Sequence, residues 1–524
     1  MWARHRLEVF TAVLAAVLGA TYLLLPAMGS DLAAQVARAD FFAAHGYTPI
    51  DLRWYAGVNQ LGYSLISQPV MALLGVRLTG ALCLPFAAVL LAVLLRRTDA
   101  PRPLLGALVG TACLAGNLVS GRVTYGLGVC LALGALVALT TRQAPAPISA
   151  GWPAALLTLL AGATSPVVAL FLGLAGVALI LSGRVRSGLL LAIPAAVPLA
   201  LTALLFGDGG WMNISRTDTL RAVIAGLVVA ALVPRRPVRI GALLSSAGVL
   251  AASLIHTPVG LNATRLAVMF TLPLLAAYAT LPVLSRTSPW TGAVRPLPGW
   301  AVVILVAVAC WWQPPVVTGD VRDIGNPTAD AAYFRPLLDR LAQESLTGRV
   351  EIPATRDYWE AAHMGDVPLA RGWLRQADID RNPLFFTEIP GARGTGVPLT
   401  ADTYRAWLDE LAVQFVAVPD AELTWSGRPE AELIKAGLPY LTELWSNADW
   451  RLYAVADPRP IVAAPARLVR QDAASLTFDA TPGTVPVRVR WNRWLTVDND
   501  ATLERQGDWL AVKVTDQGRY TISS

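Results

Sequence analysis

The sequence predicts a polytopic α-helical membrane domain of about eleven spans, followed by an extracytoplasmic α/β domain and a small β-sandwich. Hydrophobic residues make up 55% of the 524 positions and charged residues only 15%, against roughly 25% charged in a soluble domain. Residues 1–312 contain 20 arginines, no lysine and seven acids, whereas residues 313–524 contain 22 basic and 29 acidic residues. A basic membrane region is therefore joined to a mildly acidic soluble region, and the basic balance gives no reason to expect nucleic-acid binding.

Each predicted span is an apolar run close to the roughly 20 residues that a crossing helix needs. The runs lie near residues 7–28, 78–95, 103–120, 124–140, 151–165, 166–182, 187–206, 220–234, 240–256, 265–283 and 299–313. We expect the first to be retained, because it exceeds the roughly 7–15 apolar residues of a cleaved signal peptide. The short apolar run at residues 60–76 predicts an interfacial helix, since a crossing there would reverse the side of every later loop.

Arginines in short loops predict the orientation. With the N-terminus in the cytoplasm, 13 of the 20 arginines before residue 313 face the cytoplasm, and five of the seven acids lie outside. Eleven crossings then place the C-terminal region outside the cell membrane. The preference for arginine over lysine suggests a bacterial gene, so the membrane is expected to be the bacterial inner membrane.

Domain boundaries follow from changes of pattern along the chain. The membrane domain is predicted at residues 1–313 and includes an outer acidic loop at residues 29–60. Prolines mark a linker after residue 313, and mixed helical and strand-like segments predict an α/β domain at residues 314–458. Strands separated by turns predict the β-sandwich at residues 459–524.

The outer acidic loop carries the strongest candidate for chemistry. Acids are costly at membrane depth, so Asp31, Asp40 and Asp51, retained at the membrane border, are functional candidates. Asp31 suits a general base that accepts the proton of a sugar hydroxyl, although it also suits the N-cap of the following helix. Asp40 is expected on a solvated helix face and Asp51 in an ion pair, with catalytic support as the second interpretation. Trp54 and Tyr55 are candidate sugar or acceptor contacts.

Two outer-face arginines suit a phosphate. Arg122 opens one outer loop, and Asn262 and Arg265 lie at the outer end of a later span. Guanidinium groups bind phosphate oxygens through two parallel hydrogen bonds, whereas the alternative is contact with lipid headgroups. His256 lies near the same boundary and is either an interfacial histidine or a supporting catalytic group.

The soluble region contains one dense polar and aromatic segment, residues 355–387. Aromatic faces beside charged groups suit sugar rings, and an ion-paired core is the alternative. The candidate sugar or acceptor contacts in this segment are Trp359, Glu360, His363, Arg371 and Trp373. The segment resembles one in a family of actinobacterial membrane proteins, which implies family membership and no function.

The N-terminal organisation resembles that of the GT-C class of integral-membrane glycosyltransferases. The shared features are a first span, an outer loop that opens with an acid, an interfacial helix and many further spans. The resemblance implies transfer of a sugar from a polyprenyl-phosphate carrier to an envelope glycan or glycolipid on the outer face, with Asp31 as the catalytic acid of the first loop. Many members carry paired acids there, whereas Asp31 lies between Ser30 and Leu32, so a divalent-cation requirement stays open.

Missing motifs narrow the alternatives. The sequence has no phosphate-binding P-loop and no dinucleotide fingerprint, so no nucleotide cofactor is expected. No cysteine lies after residue 312, and no residues were assigned to a metal site. A transporter or a non-catalytic envelope-binding protein remains the alternative, but the ionisable residues of the membrane region cluster at its edges rather than at mid-bilayer.

Overall fold

The apolar runs fold as helices in the computed structural model, which describes residues 5–140, 151–282 and 294–524. The helices in the first part of the chain are α1 Arg6–Leu24, α2 Leu32–His45, α3 Ser67–Leu74, α4 Val76–Arg97, α5 Pro103–Val119, α6 Val123–Leu139, α7 Trp152–Thr164, α8 Pro166–Leu181, α9 Val185–Phe206, α10 Arg216–Leu232, α11 Arg236–Leu254, α12 Arg265–Tyr278 and α13 Gly299–Trp312. Every predicted span contains a helix. The span predicted at 265–283 is helical only to Tyr278, because Thr280–Pro282 form a short strand, and its last residue lies outside the described residues.

Helix length places ten of the eleven predicted spans in two groups, and α10 with 17 residues is in neither. Within the described ranges, five helical segments are long and apolar enough to cross a membrane: Arg6–Leu24, Val76–Arg97, Val185–Phe206, Arg236–Leu254 and Gly260–Tyr278. The apolar helices α5, α6, α7, α8 and α13 have 10–17 residues. The structure therefore contains a helical membrane region, while the count of eleven crossings stays a prediction. Helix α3 has eight residues, about 12 Å of helix, and is too short to cross.

Local sequence sets several helix starts. Proline occupies the first turn of α5, α7, α8 and α11, where its missing N–H costs no helical hydrogen bond. The Ser215 hydroxyl caps α10 by accepting a hydrogen bond from the Asp218 amide at 2.9 Å.

The later chain alternates short helices and strands. The helices are α14 Thr318–Arg322, α15 Arg335–Leu341, α16 Glu360–His363, α17 Arg375–Arg381, α18 Ala401–Glu410 and α19 Arg428–Lys435. The strands are β1 Ile50–Asp51, β2 Val58–Asn59, β3 Thr280–Pro282, β4 Val294–Pro296, β5 Arg349–Glu351, β6 Val413–Pro419, β7 Leu441–Ser446, β8 Trp450–Val455, β9 Arg467–Gln471, β10 Ser475–Ala480, β11 Gly483–Arg490, β12 Thr496–Val497, β13 Thr502–Gln506, β14 Trp509–Val514 and β15 Gly518–Ser523.

The chain divides into two compact units. Unit 1 comprises the residues up to Gly29, Tyr63–Leu205 and Met212–Ile324. Unit 2 comprises Ser30–Gly62, Phe206–Trp211 and Gly325–Ser524. The acidic loop therefore folds with the C-terminal part of the chain, and the predicted domain boundaries stay predictions.

Small residues allow the helices of unit 1 to pack closely. A Cβ atom at Gly106 would lie 2.6 Å from Cβ of Ala277, and one at Gly176 would lie 2.7 Å from the carbonyl oxygen of Gly188. Close backbone approach is the usual way in which helices associate in lipid. The core is lined by leucine, alanine and valine from α4, α5, α6, α8 and α12.

Unit 2 contains the two-stranded β1–β2 sheet of the acidic loop and three larger sheets in the described residues. Strands β5, β6, β8 and β7 form one sheet in that order, with a parallel β5–β6 pair and antiparallel neighbours beyond it. The C-terminal strands form two antiparallel sheets, ordered β12-β15-β10-β9 and β11-β14-β13. The inward side chains of these two sheets share one apolar cluster, which Ile50 and Leu52 of the acidic loop also join.

Candidate active site in the acidic loop

Asp31 lies directly before α2, as the general-base and capping interpretations both require. Its backbone occupies the N-cap position with φ −101° and ψ −7°, but its side chain accepts no capping hydrogen bond from the helix. The residue is 7% exposed. The carboxylate is thus sheltered from solvent at the start of α2.

Asp51 forms the ion pair expected from the sequence. Its carboxylate accepts from Nε of Arg53 at 3.0 Å and from Nη2 at 2.8 Å. The Gln60 amide donates to the same carboxylate at 2.6 Å, and Arg38 donates to the Gln60 carbonyl at 2.7 Å. All four side chains are buried. Through Gln60 and Arg38, Asp51 therefore connects the last part of the acidic loop to α2.

Trp54 and Tyr55 lie inside the protein, with exposures of 0% and 1%. The guanidinium groups of Arg38 and Arg53 lie 5.6 and 5.7 Å from the Trp54 ring centre. A Cβ atom at Gly372 would lie 2.5 Å from Cγ of Trp54, so only glycine fits against this ring. Their burial gives both aromatic residues a packing role.

The structure brings the two polar segments identified from the sequence together within unit 2. The Tyr55 hydroxyl donates to the carbonyl of Gly372 and accepts from the amide of Leu374 at 3.2 Å. The Trp373 indole Nε1 donates to the carbonyl of Ser30 at 2.9 Å. Trp373, which is only partly buried, is therefore bonded to the residue that precedes Asp31.

Asp40 and His363 are more exposed to solvent than the buried Trp54 and Tyr55. Asp40 is exposed near the end of α2, and His363 at the end of α16 is partly buried. Burial lowers the pKa of His363, opposed by its hydrogen bond to the Ala329 carbonyl and by the charge of Asp40. His363 is therefore neutral at pH 7, with its ring stacked on Trp359 at a centroid distance of 5.2 Å.

Arg371 lies at the centre of a buried acidic cluster. Its guanidinium contacts Asp378 at 3.0 Å, Glu430 at 3.0 Å and Glu351 at 3.5 Å. Burial opposes the charge of Arg371, but the three carboxylates raise its pKa well above the ordinary value. Burial raises the pKa of Glu430 to about 7. Arg371 thus stays charged and holds its segment in place.

Trp359 and Glu360 are buried as well, with exposures of 2% and 3%. The Glu360 carboxyl accepts from the Thr355 hydroxyl at 2.5 Å. Burial raises the pKa of Glu360 to about 7, opposed by the hydrogen bonds from Thr355. Of the five candidates in this segment, Trp373 and His363 are therefore the more accessible ones.

The candidate phosphate ligands lie in unit 1. The Arg265 guanidinium is 5.3 Å from the ring centre of Tyr125, and Arg122 acts electrostatically on the same tyrosine. Arg122 is the N-cap residue of α6, so the helix N-terminus adds its own positive potential. Asn262 donates to the sulfur of Met212 at 3.3 Å. His256 is exposed after the end of α11.

Three further polar residues, two in unit 1 and one in unit 2, were not predicted from the sequence. The hydroxyl groups of Ser120 and Tyr125 are buried and have no hydrogen-bond partner in the part of the chain that the structure describes. Asp208 accepts from Asn59 at 3.1 Å and from Arg381 at 3.1 Å, which joins three separate segments of unit 2. Asp208 was one of only seven acids before residue 313, and that scarcity was the available signal.

Metal ligands are not grouped in the described ranges. Nowhere in residues 5–140, 151–282 or 294–524 are three His, Cys, Asp or Glu side chains arranged to hold a metal ion. The four cysteines are all free thiols in apolar helices.

Comparison with known proteins gives structural neighbours only. The sequence matches no protein-family model and no curated protein. Among solved structures, it is similar to the arabinofuranosyltransferase AftD from mycobacteria, with 17% identity and a TM-score of 0.46 over 91% of this chain and 41% of that chain. It is also similar to ArnT from Cupriavidus metallidurans, with 14% identity and a TM-score of 0.45 over 87% of this chain and 100% of that chain.

Both neighbours are GT-C glycosyltransferases, the class that the sequence resembles. The chain spans 41% of the length of AftD. TM-scores below 0.5 describe loosely similar architectures, so the residue roles of those proteins do not transfer to this chain.

Proposed function

We propose that this protein is a membrane glycosyltransferase that moves a sugar from a polyprenyl-phosphate carrier to an envelope glycan or glycolipid on the outer face of the bacterial cell membrane. The observation that carries the proposal is the placement of Asp31. A carboxylate is retained directly after the first apolar helix, at the start of α2, and is only 7% exposed. A sheltered carboxylate near a membrane border suits proton abstraction from a hydroxyl group better than it suits a purely structural role.

Each proposed role follows from the chemistry of a side chain. Asp31 is the general base that takes the proton of the acceptor hydroxyl as the sugar is transferred. Arg122 and Arg265 bind the carrier phosphate, and the buried hydroxyl groups of Ser120 and Tyr125 supply further donors, because phosphate oxygens accept several hydrogen bonds. Trp373 and His363 are the proposed contacts for the sugar or acceptor. Asn262, Asp40 and His256 have supporting roles.

The membrane arrangement is part of the same proposal. All eleven apolar helices cross, the N-terminus lies in the cytoplasm, and residues 314–524 lie outside. A carrier-linked donor fits this arrangement, since a nucleotide-sugar donor would be on the opposite side of the membrane from the acidic loop.

The decisive substitution is Asp31→Asn. The amide keeps the size of the side chain but cannot take a proton, so transfer should fall about 100- to 10,000-fold, the usual effect of removing a general base. The measurement is sugar transfer by purified protein from a panel of polyprenyl-phosphate sugars in lipid vesicles. The control is Asp402→Asn, because that carboxylate is exposed in the first turn of α18 and has no assigned role.

Two results would contradict the proposal in different ways. Normal transfer by the Asp31→Asn protein would remove Asp31 from the mechanism while leaving the activity. Failure of the wild-type protein to consume any carrier-linked donor would remove the activity itself. Equal thermal unfolding of wild type and variant would establish that a lost rate is chemical rather than structural.

A further inference from the structure

The segment Arg371–Leu374 contacts the acidic loop at Ser30 and at Tyr55. At one end, the Trp373 indole donates a hydrogen bond to the carbonyl of Ser30 at 2.9 Å. That carbonyl belongs to the peptide group between Ser30 and Asp31. A peptide group is planar and rigid. The hydrogen bond that holds its oxygen therefore also restrains the Asp31 Cα atom, which belongs to the same plane.

The centre of the segment is locked to the loop by Tyr55. The Tyr55 hydroxyl donates to the Gly372 carbonyl and accepts from the Leu374 amide. Burial raises the pKa of Tyr55 well above its ordinary value, so the hydroxyl keeps the proton that it donates. These two hydrogen bonds are made by the residues directly before and after Trp373. The backbone of Trp373 therefore has little freedom to move.

Arg371 fixes the other end. Its guanidinium contacts three buried carboxylates and lies 4.0 Å from the ring centre of Phe385. Arg371 makes two hydrogen bonds with Asp378, at 3.1 and 3.0 Å. Paired bonds of this kind fix direction as well as distance. The segment is thus held at Arg371 and Tyr55, with the Trp373 side chain directed at the acidic loop.

We propose that Trp373 is a positioning residue for Asp31, acting through its indole hydrogen bond to Ser30 and held in place by Arg371 and Tyr55. The catalytic part of this inference rests on the proposed function, in which Asp31 is the general base. A general base works only within hydrogen-bond reach of its proton, and displacements of about 1 Å can cost roughly 100-fold in rate. Trp373 thereby couples the C-terminal part of unit 2 to the reactivity of the loop.

The test uses the position of residue 31 and does not depend on activity. Asp31→Cys is introduced after the four native cysteines are replaced by alanine, and labelling by a thiol reagent is timed in the full-length protein. Replacing Trp373 with β-(3-benzothienyl)alanine keeps the shape of the ring system and removes only the N–H. The labelling rate at position 31 should rise about two- to twelvefold, the effect of one lost hydrogen bond on a local equilibrium.

The matched control is the same replacement at Trp450. Its indole Nε1 also donates to a backbone carbonyl at 2.9 Å, that of Tyr333. The control should leave the labelling rate unchanged, whereas equal labelling with and without the Trp373 N–H would overturn the inference. Trp373→Phe is the second variant and should have the same effect on labelling as the benzothienyl side chain.

Kinetics then separate positioning from binding. In the protein with Asp31 intact, loss of the Trp373 N–H should lower kcat by about 10- to 100-fold and leave KM within about twofold. The ring face that is proposed to contact the sugar or acceptor is kept in this variant, so a change confined to KM would assign the indole N–H to substrate binding and overturn the positioning role. If the wild-type protein transfers no sugar, the proposed function fails, while the labelling experiment still decides whether Trp373 positions residue 31.

Discussion

At the residue scale, Asp31 and Asp51 show how surroundings divide the roles of like side chains. Asp51 is fully buried and accepts hydrogen bonds from Arg53 and Gln60. With its oxygens occupied by these donors, it is suited to structure. Asp31 begins a helix without capping it. The sequence predicted the ion pair because Arg53 follows Asp51 by two positions, but no local pattern indicated that Gln60 and Arg38 complete it.

The buried acids around Arg371 make stability depend on pH. Burial raises the pKa of Glu430 from 4.5 to about 7, and burial together with Glu430 raises that of Glu351 well above its ordinary value. The folded protein therefore keeps protons that the unfolded chain releases near pH 4.5. Between about pH 4.5 and 7 the folded state binds more protons, so the free energy of unfolding falls as pH rises.

Glu351→Gln should weaken this pH dependence. The amide keeps the shape of the side chain and cannot ionise, so the fall in Tm between pH 5 and pH 8 should shrink by roughly a third, because Glu360 and Glu430 keep their raised pKa values. Thermal unfolding of the purified full-length protein measures the change. Glu443→Gln, on the exposed strand β7, is the control. A fall in Tm as steep as that of wild type would contradict the role of Glu351.

At the element scale, the helices of the membrane region were predictable and the contacts of the acidic loop were not. Long apolar runs without interior charge form helices because lipid leaves the backbone no other hydrogen-bond partner. The contact between Trp373 and Ser30 joins residues separated by 343 positions. Such non-local pairs leave no periodic trace in a single sequence. The polar composition of both segments was visible, but their proximity was not.

Helix α18 illustrates a start that the sequence encodes fully. The Thr400 hydroxyl accepts from the Thr403 amide at 3.2 Å, and the Thr403 hydroxyl accepts from the Thr400 amide at 2.9 Å. This reciprocal pair is a capping box. The helix buries Tyr404, Trp407 and Leu408, so its start is coupled to the core.

We therefore expect Thr400→Ala to lower the free energy of unfolding by about 1 kcal/mol, the usual effect of a lost N-cap. Thr400→Ser keeps the hydroxyl and should stay within a few tenths of a kcal/mol of wild type. Denaturant unfolding of the full-length protein, followed by tryptophan fluorescence, compares the two variants. Equal stability of the alanine and serine proteins would show that the hydrogen bond to the Thr403 amide contributes little.

At the scale of the whole molecule, the proposed orientation gives a direct test. Asp508 is exposed in the C-terminal region and Asp99 lies in the exposed turn between α4 and α5. In proteins without native cysteines, Asp508→Cys should react with a membrane-impermeant maleimide in intact cells. Asp99→Cys should react only after the membrane is opened, because the arginine-rich loops are expected to face the cytoplasm. The reverse pattern would contradict the orientation.

The division of unit 2 along the chain has a consequence for biosynthesis. Its first segment ends at Gly62 and its last begins at Gly325, so the ribosome must add the intervening chain before the partners of the acidic loop exist. At about 5–20 residues per second, this takes roughly 13–53 seconds. Through that interval Ile50, Leu52, Trp54 and Tyr55 emerge without the strands and the Gly372 segment that later cover them. During synthesis the loop therefore exposes apolar side chains of the kind that chaperones bind.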